Sequence, residues 1–480
     1  MITLEEPGRL PGGLSVWRGR MVLLRANAKD LAFLAVFLLI PAGVMAVSDS
    51  LWFTLFVTIG LIVSWAVGLL NRPGVRATAS NQPALAALVG RVAAITGSPP
   101  PDRIWLTGSP HIAAQVSAWR RDLHVGMPLL RSLSTSQVRA LVGHELSILG
   151  HRRPWLVTRL MEQWTDATKD IHLADGEPDR KDVRLSAVLN AFATEVHRHA
   201  DAAALTVGGG ADVSASAYAR AEVIEETHRR YVFLCDDIPR SRWWHPWPSK
   251  IADLDDGWRH VLAHGVSGTF WDEDAALTAP QHPTLAAALL RLGNESLVLR
   301  PADDPVHLEP LSLREQKRLA REALGIPSRV IVHWLMFEEA PPVWWAKRAA
   351  KDADVLREDV AALLGRRPTD DIETAEVLLT RNLELIAQNR NIDPDENADP
   401  DELDADDKAH VTFAEANPPP VFASLVEDAL FQRGWRLEHP AVRGILVGPA
   451  GERIDAATLV TGSYAEPDLT PLRDILNNTQ

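Results

Sequence analysis

The chain contains 480 residues, of which 46% are hydrophobic and 23% charged, so it has the composition of a globular protein and is long enough to bury a full core. Its formal net charge of −14 disfavours nucleic acid as a partner, because nucleic-acid recognition needs a basic surface. The single cysteine, Cys235, excludes an intrachain disulfide and fits a reducing compartment.

Two apolar runs follow a mixed N-terminal segment, residues 1–30. They comprise residues 31–47 and 51–70, and a spanning helix needs roughly 17–25 apolar residues. Basic residues flank the pair on both sides, so the positive-inside rule places both flanks in the cytoplasm. We therefore expect a two-helix transmembrane hairpin over residues 31–71. The protein would be a multi-pass cell-membrane protein with both termini and the main domain cytoplasmic, and the lipid bilayer would be a partner. The alternative is a helical pair buried inside a soluble domain.

From residue 80 the pattern becomes that of a globular domain, which we place at residues 80–300. Leu85, Leu88 and Val92 recur at helical spacing and predict a helix that ends before a run of prolines. Short strands are then predicted at residues 103–106, 112–118 and 122–125.

Two longer helices are predicted after these strands. Ser134 and Gln137 form a capping-box pattern at the start of a helix that runs to Leu146. A second long helix is predicted over residues 183–207, before three consecutive glycines.

The rest of the chain is predicted to contain a helical extension over residues 301–390, an acidic linker over 391–412 and a small α+β module over 413–480. Part of the linker faintly resembles a calcium loop at Asp393, Asp395 and Asn397. The glycine that such a loop needs for its sharp turn is missing, so a solvated linker is the better interpretation.

One segment carries a recognisable chemical pattern. A catalytic zinc helix uses His-Glu-x-x-His, because residues four apart share a helix face and both imidazoles reach one ion. His144 and Glu145 match the first half of this pattern, but Ile148 stands where the second histidine would be. His151 lies seven residues after His144, about 10 Å along the helix axis, so it does not easily take the place of the missing second histidine.

Three segments in the same order resemble the HtpX-type membrane zinc metallopeptidases, a gluzincin-like family related to the CAAX prenyl endopeptidases. The first runs from the strand at 112–118 through Gly126-Met127-Pro128-Leu129-Leu130 into the His144 helix. The second is His197-Arg198-His199-Ala200-Asp201, where the family has E-x-x-A-D. The third is Gln281-His282-Pro283-Thr284-Leu285, similar to the family's H-P-P/T-L motif. The resemblance covers roughly residues 82–293 and the preceding hairpin.

The resemblance implies a mostly helical α+β fold: a gluzincin-like metallopeptidase domain with a small edge sheet, preceded by the hairpin and followed by the tail module. It implies zinc as cofactor, His144 and His197 as ligands, and Glu145 as general base. Asp201 would orient His144, and His282 would be a substrate-side or transition-state histidine. Asp201 lies four residues after His197, so both side chains face the same side of that helix. Together with His144 they form a candidate metal-ligand set of two histidines and one carboxylate.

The choice between His197 and His199 depends on which spacing is followed. The apolar stripe of the same helix extrapolates to His199, whereas the spacing to Asp201 favours His197, which we assign to the site. The alternative is that both are ordinary polar residues near a helix end. His151 and Glu195 also remain open as metal ligands.

Two main functions follow from these patterns. The ligand missing at Ile148 favours a pseudoprotease or peptide-binding module, in which the strand at 112–118 accepts an extended peptide by strand addition. The alternative is an active zinc metalloendopeptidase that hydrolyses peptide bonds, with Glu145 as general base. A third hypothesis assigns function to the tryptophans at 243–247 and 344–345, as membrane-interface anchors, although buried aromatic core explains them equally.

Overall fold

The computed structural model divides the chain into two units, Met1–Trp334 and Leu335–Gln480. The boundary falls inside the predicted helical extension. The residues that the structure describes are 10–26, 74–117, 120–172, 180–236, 250–269, 280–293, 296–326, 333–335, 342–381, 422–439, 442–465 and 470–476. Within them the fold is mostly helical with a small sheet.

The predicted fold class and localisation require one correction, which concerns the transmembrane hairpin. No helix in the described ranges is both long and apolar enough to cross a membrane. The longest helices have sufficient length but carry charged side chains along their course. The two apolar runs, residues 31–47 and 51–70, lie outside the described residues, as do the tryptophans at 243–247. The structure therefore does not support a two-span membrane protein, and that prediction is wrong.

Helices form most of the first unit. In chain order they are α1 Val16–Ala26, α2 Pro83–Thr96, α3 Met127–Ser132, α4 Thr135–Leu149, α5 Pro154–His172, α6 Arg180–Gly208, α7 Ala211–Asp236, α8 Leu254–His264, α9 Ala286–Gly293 and α10 Leu313–Ala323. The strands are β1 Val75–Ala77, β2 Arg103–Thr107, β3 Ile112–Ser117, β4 Arg120–Gly126, β5 Lys250–Ala252, β6 Val266–Thr269, β7 Ser296–Leu299 and β8 His333–Leu335.

The main sheet of this unit has the strand order β1-β2-β4-β3. β2 and β4 are parallel, with Leu106 opposite Val125, and β3 is antiparallel to β4, with Ala114 opposite Leu123. The three strands predicted from the sequence are confirmed, with small differences at their ends. Because β3 is the last strand in this order, its outer edge is the edge next to α4 that another extended segment can approach.

α4 begins where the sequence predicted. The Ser134 hydroxyl accepts a hydrogen bond from the Gln137 backbone N–H, and the Gln137 side chain accepts one from the Ser134 N–H, which confirms the capping box. This cap satisfies two of the free N–H groups at the helix start, so it sets the register of the residues that follow, including His144.

The close approach of α4 and α6 depends on small residues. A Cβ added to Gly143 would lie 2.4 Å from the Val207 Cγ2, and one added to Gly208 would lie 2.8 Å from the Ala140 Cβ. Neither position has room for a side chain, so the glycines let each helix pack closely against small side chains of the other. This contact positions His144 on α4 relative to His197 on α6.

The second unit has its own apolar core. Its helices are α11 Pro342–Leu364, α12 Asp371–Thr380, α13 Phe422–Gln432, α14 Ala456–Ala465 and α15 Thr470–Leu476. Its strands form an antiparallel sheet of β9 Arg436–His439, β10 Val442–Val447 and β11 Arg453–Asp455. The turn predicted at residues 448–451 does join β10 to β11. The acidic linker, 391–412, lies outside the described residues.

We expect Gly143→Ala to destabilise the protein by about 1–3 kcal/mol, because the new methyl group overpacks the α4–α6 contact. Gly90→Ala is the matched control. Gly90 lies in α2 with nothing within 4 Å of the added Cβ, so alanine there should stabilise the helix by about 1 kcal/mol. Denaturant unfolding of both variants measures the difference, and an equal effect of the two substitutions would contradict the packing argument.

Candidate functional site

Three buried histidines from separate parts of the first unit come together. His144 lies on α4, His197 on α6, and His282 in the turn before α9. One ring nitrogen from each lies within 4.8 Å of the other two, and the His144 Nε2 is 3.2 Å from the His197 Nδ1. The ring centroids of His197 and His282 are 4.7 Å apart. These three imidazoles form what we call the histidine cluster.

A buried carboxyl group holds the third histidine in place. The fully buried Asp201 accepts a hydrogen bond from the His282 Nδ1 over 2.7 Å through its Oδ1. Its Oδ2 accepts a second bond, also 2.7 Å, from the Thr284 hydroxyl. With Nδ1 occupied in this way, the His282 Nε2 is the nitrogen left to bind a metal, in the arrangement typical of metal-bound histidines.

The turn that carries His282 is anchored by apolar packing. Leu285 is buried and packs with Leu289 of α9 against Ala215 and Ala219 of α7. The Leu285 N–H donates to the His282 carbonyl over 2.9 Å, which closes the turn. The H-P-T-L pattern thus places its histidine at the site because its leucine is buried next to α7.

Glu145 connects the histidine cluster to the edge of the sheet. Its Oε1 is 3.0 Å from the His144 Nδ1, and its Oε2 accepts a hydrogen bond of 2.8 Å from the Ala114 N–H of β3. In a strand, the N–H and C=O groups of one residue point to the same side, so Ala114 faces away from β4 and towards the site. A peptide placed along this edge would therefore lie beside Glu145.

Tyr218 of α7 completes the inner wall of the site. Its ring lies 4.5 Å from that of His282 and 5.5 Å from that of His144. Its hydroxyl is buried and forms no hydrogen bond with any residue that the structure describes. Unsatisfied buried hydroxyls are rare in proteins, so we expect the Tyr218 hydroxyl to form a hydrogen bond with a bound ligand.

Burial keeps two of the three histidines, His197 and His282, in the neutral form that binds cations. Burial lowers the pKa of His197 well below its ordinary value, and the neighbouring His282 and His144 lower it further. Burial also lowers the pKa of His282, against the opposing influence of Asp201. Both imidazoles are therefore neutral at neutral pH, the protonation state required of a metal ligand. Burial likewise raises the pKa of Tyr218 well above its ordinary value, so its hydroxyl keeps its proton.

The donor set fits a metal ion. Three histidine imidazoles are a known protein ligand set for catalytic zinc, which keeps a further position for water or substrate. The His197 Nε2 is buried and has no hydrogen-bond partner in the described part of the chain. Ile148, at the place of the second motif histidine, packs instead into an apolar cluster with Val157, Leu160 and Phe192.

The residues predicted from the sequence are distributed as follows. His144, Glu145, His197, Asp201 and His282 all lie in one site, but the hydrogen bond of Asp201 goes to His282, and the third imidazole of the cluster is His282. Both carboxyl oxygens of Asp201 are thus taken by His282 and Thr284, so the three histidines fit a metal ion better than the set His144, His197 and Asp201.

The remaining candidates lie away from the cluster. The side chain of His199 is 39% exposed and its Nε2 lies 3.1 Å from the Glu195 Oε1, whereas His197 is buried. Glu195 also binds Arg198. His151 stacks edge-on against His199, with ring centroids 6.4 Å apart. The spacing to Asp201 therefore selected the histidine that faces the site.

The sequence prediction missed Tyr218 and the role of Thr284. No spacing pattern links Tyr218 to the motif residues, since its contact depends on how α7 crosses the site. Thr284 was part of the H-P-T-L pattern, but its partner Asp201 is 83 residues away in the chain.

Comparison of the chain with protein-family models, with curated proteins and with solved structures finds no match. The resemblance to the HtpX-type metallopeptidases therefore stays a prediction from the motifs.

We expect Asp201→Asn to weaken zinc binding by about 10–100-fold, because an amide orients the His282 ring less well and lowers its basicity. Thr284→Val is the control: it removes only the second bond of Asp201 and should weaken zinc binding less. Competition with a chromophoric chelator measures both affinities. Unchanged affinity in Asp201→Asn would show that His282 does not need its carboxyl partner.

Proposed function

We propose that this chain is a zinc-dependent peptidase whose metal ligands are His144, His197 and His282. The observation that carries the proposal is the convergence of three buried imidazoles beside Glu145, which itself contacts the outer edge of β3. The predicted loss of a ligand at Ile148 is then compensated by a histidine from another segment.

The substrate class follows from the edge strand. Every second residue of β3 points its backbone N–H and C=O groups away from β4, and Ala114 is one of these residues. An extended peptide that adds to this edge forms backbone hydrogen bonds and places one of its peptide bonds beside Glu145. This arrangement supports peptide or unfolded protein as the substrate.

The side chains have distinct roles in the proposed hydrolysis. A bound zinc ion would supply a water of lowered pKa and a Lewis acid for the carbonyl oxygen. Glu145 accepts a proton from the attacking water and passes it to the amide nitrogen as the C–N bond breaks, giving a carboxylic acid and an amine. The Tyr218 hydroxyl donates a hydrogen bond to the developing oxyanion, which gives that buried hydroxyl a partner. Asp201 holds the His282 ring in orientation.

One observation favours a second candidate, a peptide-binding module without catalysis. Both carboxyl oxygens of Glu145 are already engaged, one by His144 and the other by the Ala114 N–H. If these contacts persist when a peptide is bound, they compete with the attacking water for the Glu145 carboxylate, and the site binds without cleaving.

We expect the full-length protein to bind about one zinc ion, and each of His144→Ala, His197→Ala and His282→Ala to lose it, because a three-ligand site does not tolerate the loss of one donor. His199→Ala is the matched control: it lies two residues from His197, points away from the cluster, and should retain the metal. Elemental analysis after gel filtration measures the zinc content. Equal zinc in His282→Ala and His199→Ala would contradict the assigned ligand set.

In an assay of casein cleavage by the zinc-loaded protein, we expect Glu145→Gln to lower kcat/KM by about 10²–10⁴-fold, because general-base catalysis contributes that much. Tyr218→Phe should lower kcat by about 10²–10³-fold with little change in KM, the pattern for loss of one oxyanion donor. Both variants should keep their zinc. No cleavage by the zinc-loaded wild-type protein, together with measurable casein binding, would favour the binding module.

A further inference from the structure

The first unit contains a concave site at the ends of β3 and α4, beyond the histidine cluster. It is a cavity of about 700 Å³ in the first unit, bounded by α1, the start of β4, the end of α4 and the start of α5. Its basic lining residues are Arg20, Arg120, Arg121, Arg152 and Arg153, which we call the arginine pocket.

The charge of this pocket contrasts with that of the chain. Five arginines and a single carboxylate, Asp102, line it, although the whole chain has a formal charge of −14. Asp102 is engaged by the Arg121 backbone N–H over 2.8 Å. Within the described part of the chain, Arg121, Arg152 and Arg153 form no salt bridge. Three such guanidinium groups in one concave site concentrate positive potential and can bind carboxylates in bidentate fashion.

Two further features of the pocket suit a peptide. α5 begins at Pro154, and the Arg153 carbonyl accepts hydrogen bonds from the N–H groups of Leu156 and Val157, so the positive end of a 19-residue helix lies at the pocket. Trp155 also lines it and is 44% exposed, which offers an apolar surface beside the charges.

The pocket is continuous with the edge strand. Val116 of β3 lines it, and Ala114, two residues earlier, donates to Glu145. Two residues of strand span about 7 Å, and their side chains lie on the same face. On α4, Leu149 lines the pocket five residues after His144, about 7.5 Å along the helix axis. An extended peptide on the outer edge of β3 therefore runs from the histidine cluster towards the arginine pocket.

We propose that the arginine pocket binds acidic side chains of a peptide that lies along β3. The protein thus selects substrates with aspartate or glutamate a few residues from the bond beside Glu145. The cleavage preference rests on the proposed function, whereas the binding of acidic peptide to the pocket does not require it.

Binding of two fluorescent peptides to the full-length protein tests the proposal. The peptides are blocked at both ends and differ only in having aspartate and glutamate or asparagine and glutamine. We expect the acidic peptide to bind about tenfold more tightly, and its advantage to shrink as ionic strength rises, because the contacts are charge pairs on an open surface. Equal affinity for the two peptides would overturn the proposal.

Charge reversal at the pocket identifies where the acidic peptide binds. Arg152→Glu combined with Arg153→Glu changes two exposed residues and should weaken binding of the acidic peptide by about tenfold. The matched control is Arg91→Glu combined with Arg314→Glu, which changes the net charge equally at exposed sites outside the pocket. Equal losses in the two double variants would show a general charge effect and overturn the assigned location.

Cleavage of the same peptides by the zinc-loaded protein separates this inference from the proposed function. Acid-dependent binding without cleavage would support the pocket and contradict the peptidase. Cleavage of both peptides at equal kcat/KM would support the peptidase and overturn the acidic preference. A DNA oligonucleotide that competes for the pocket as well as the acidic peptide, and loses affinity in the Arg152/Arg153 variant, would assign the pocket to a different polyanion and overturn the proposal.

Discussion

The buried carboxyl group of Asp201 is the interaction on which the site depends. It is fully buried, and a carboxyl group without partners in such a place would cost several kcal/mol. Both of its partners, His282 and Thr284, come from one turn that lies 81 and 83 residues further along the chain. The same two bonds that satisfy the acid therefore attach this turn to α6 and bring the third imidazole to the other two.

Helix α4 supplies the second constraint, because consecutive residues on a helix point about 100° apart. His144 faces α6 and joins the cluster, while Glu145 faces β3 and binds the Ala114 N–H. Gly143, just before them, allows α6 to approach closely. One turn of helix thus connects the histidine cluster with the sheet edge. The same edge continues to the arginine pocket, so the three features lie along one path for an extended chain.

Hydropathy and motif patterns differed in how well they predicted the structure. The strands beside the site and the capping box at Ser134 were predicted correctly, because each depends on a pattern of neighbouring residues. The two-span hairpin was predicted from the length and apolarity of two runs, and the structure does not support it. An apolar run meets a necessary condition for a membrane span, but it does not by itself establish a spanning helix.

The sequence by itself determined what acts over a few residues. It placed His144 beside Glu145, it showed that Ile148 offers no ligand, and the four-residue spacing to Asp201 selected His197 over His199. Only the tertiary structure decided that His282 is the third imidazole, that Asp201 accepts its hydrogen bond, and that Tyr218 lines the site. It also decided that arginines from α1, β4 and the loop before α5 line one pocket. The physical reason is that hydrogen bonding and periodicity within an element are local, whereas the distances between ring nitrogens depend on how α4, α6, α7 and the turn before α9 pack.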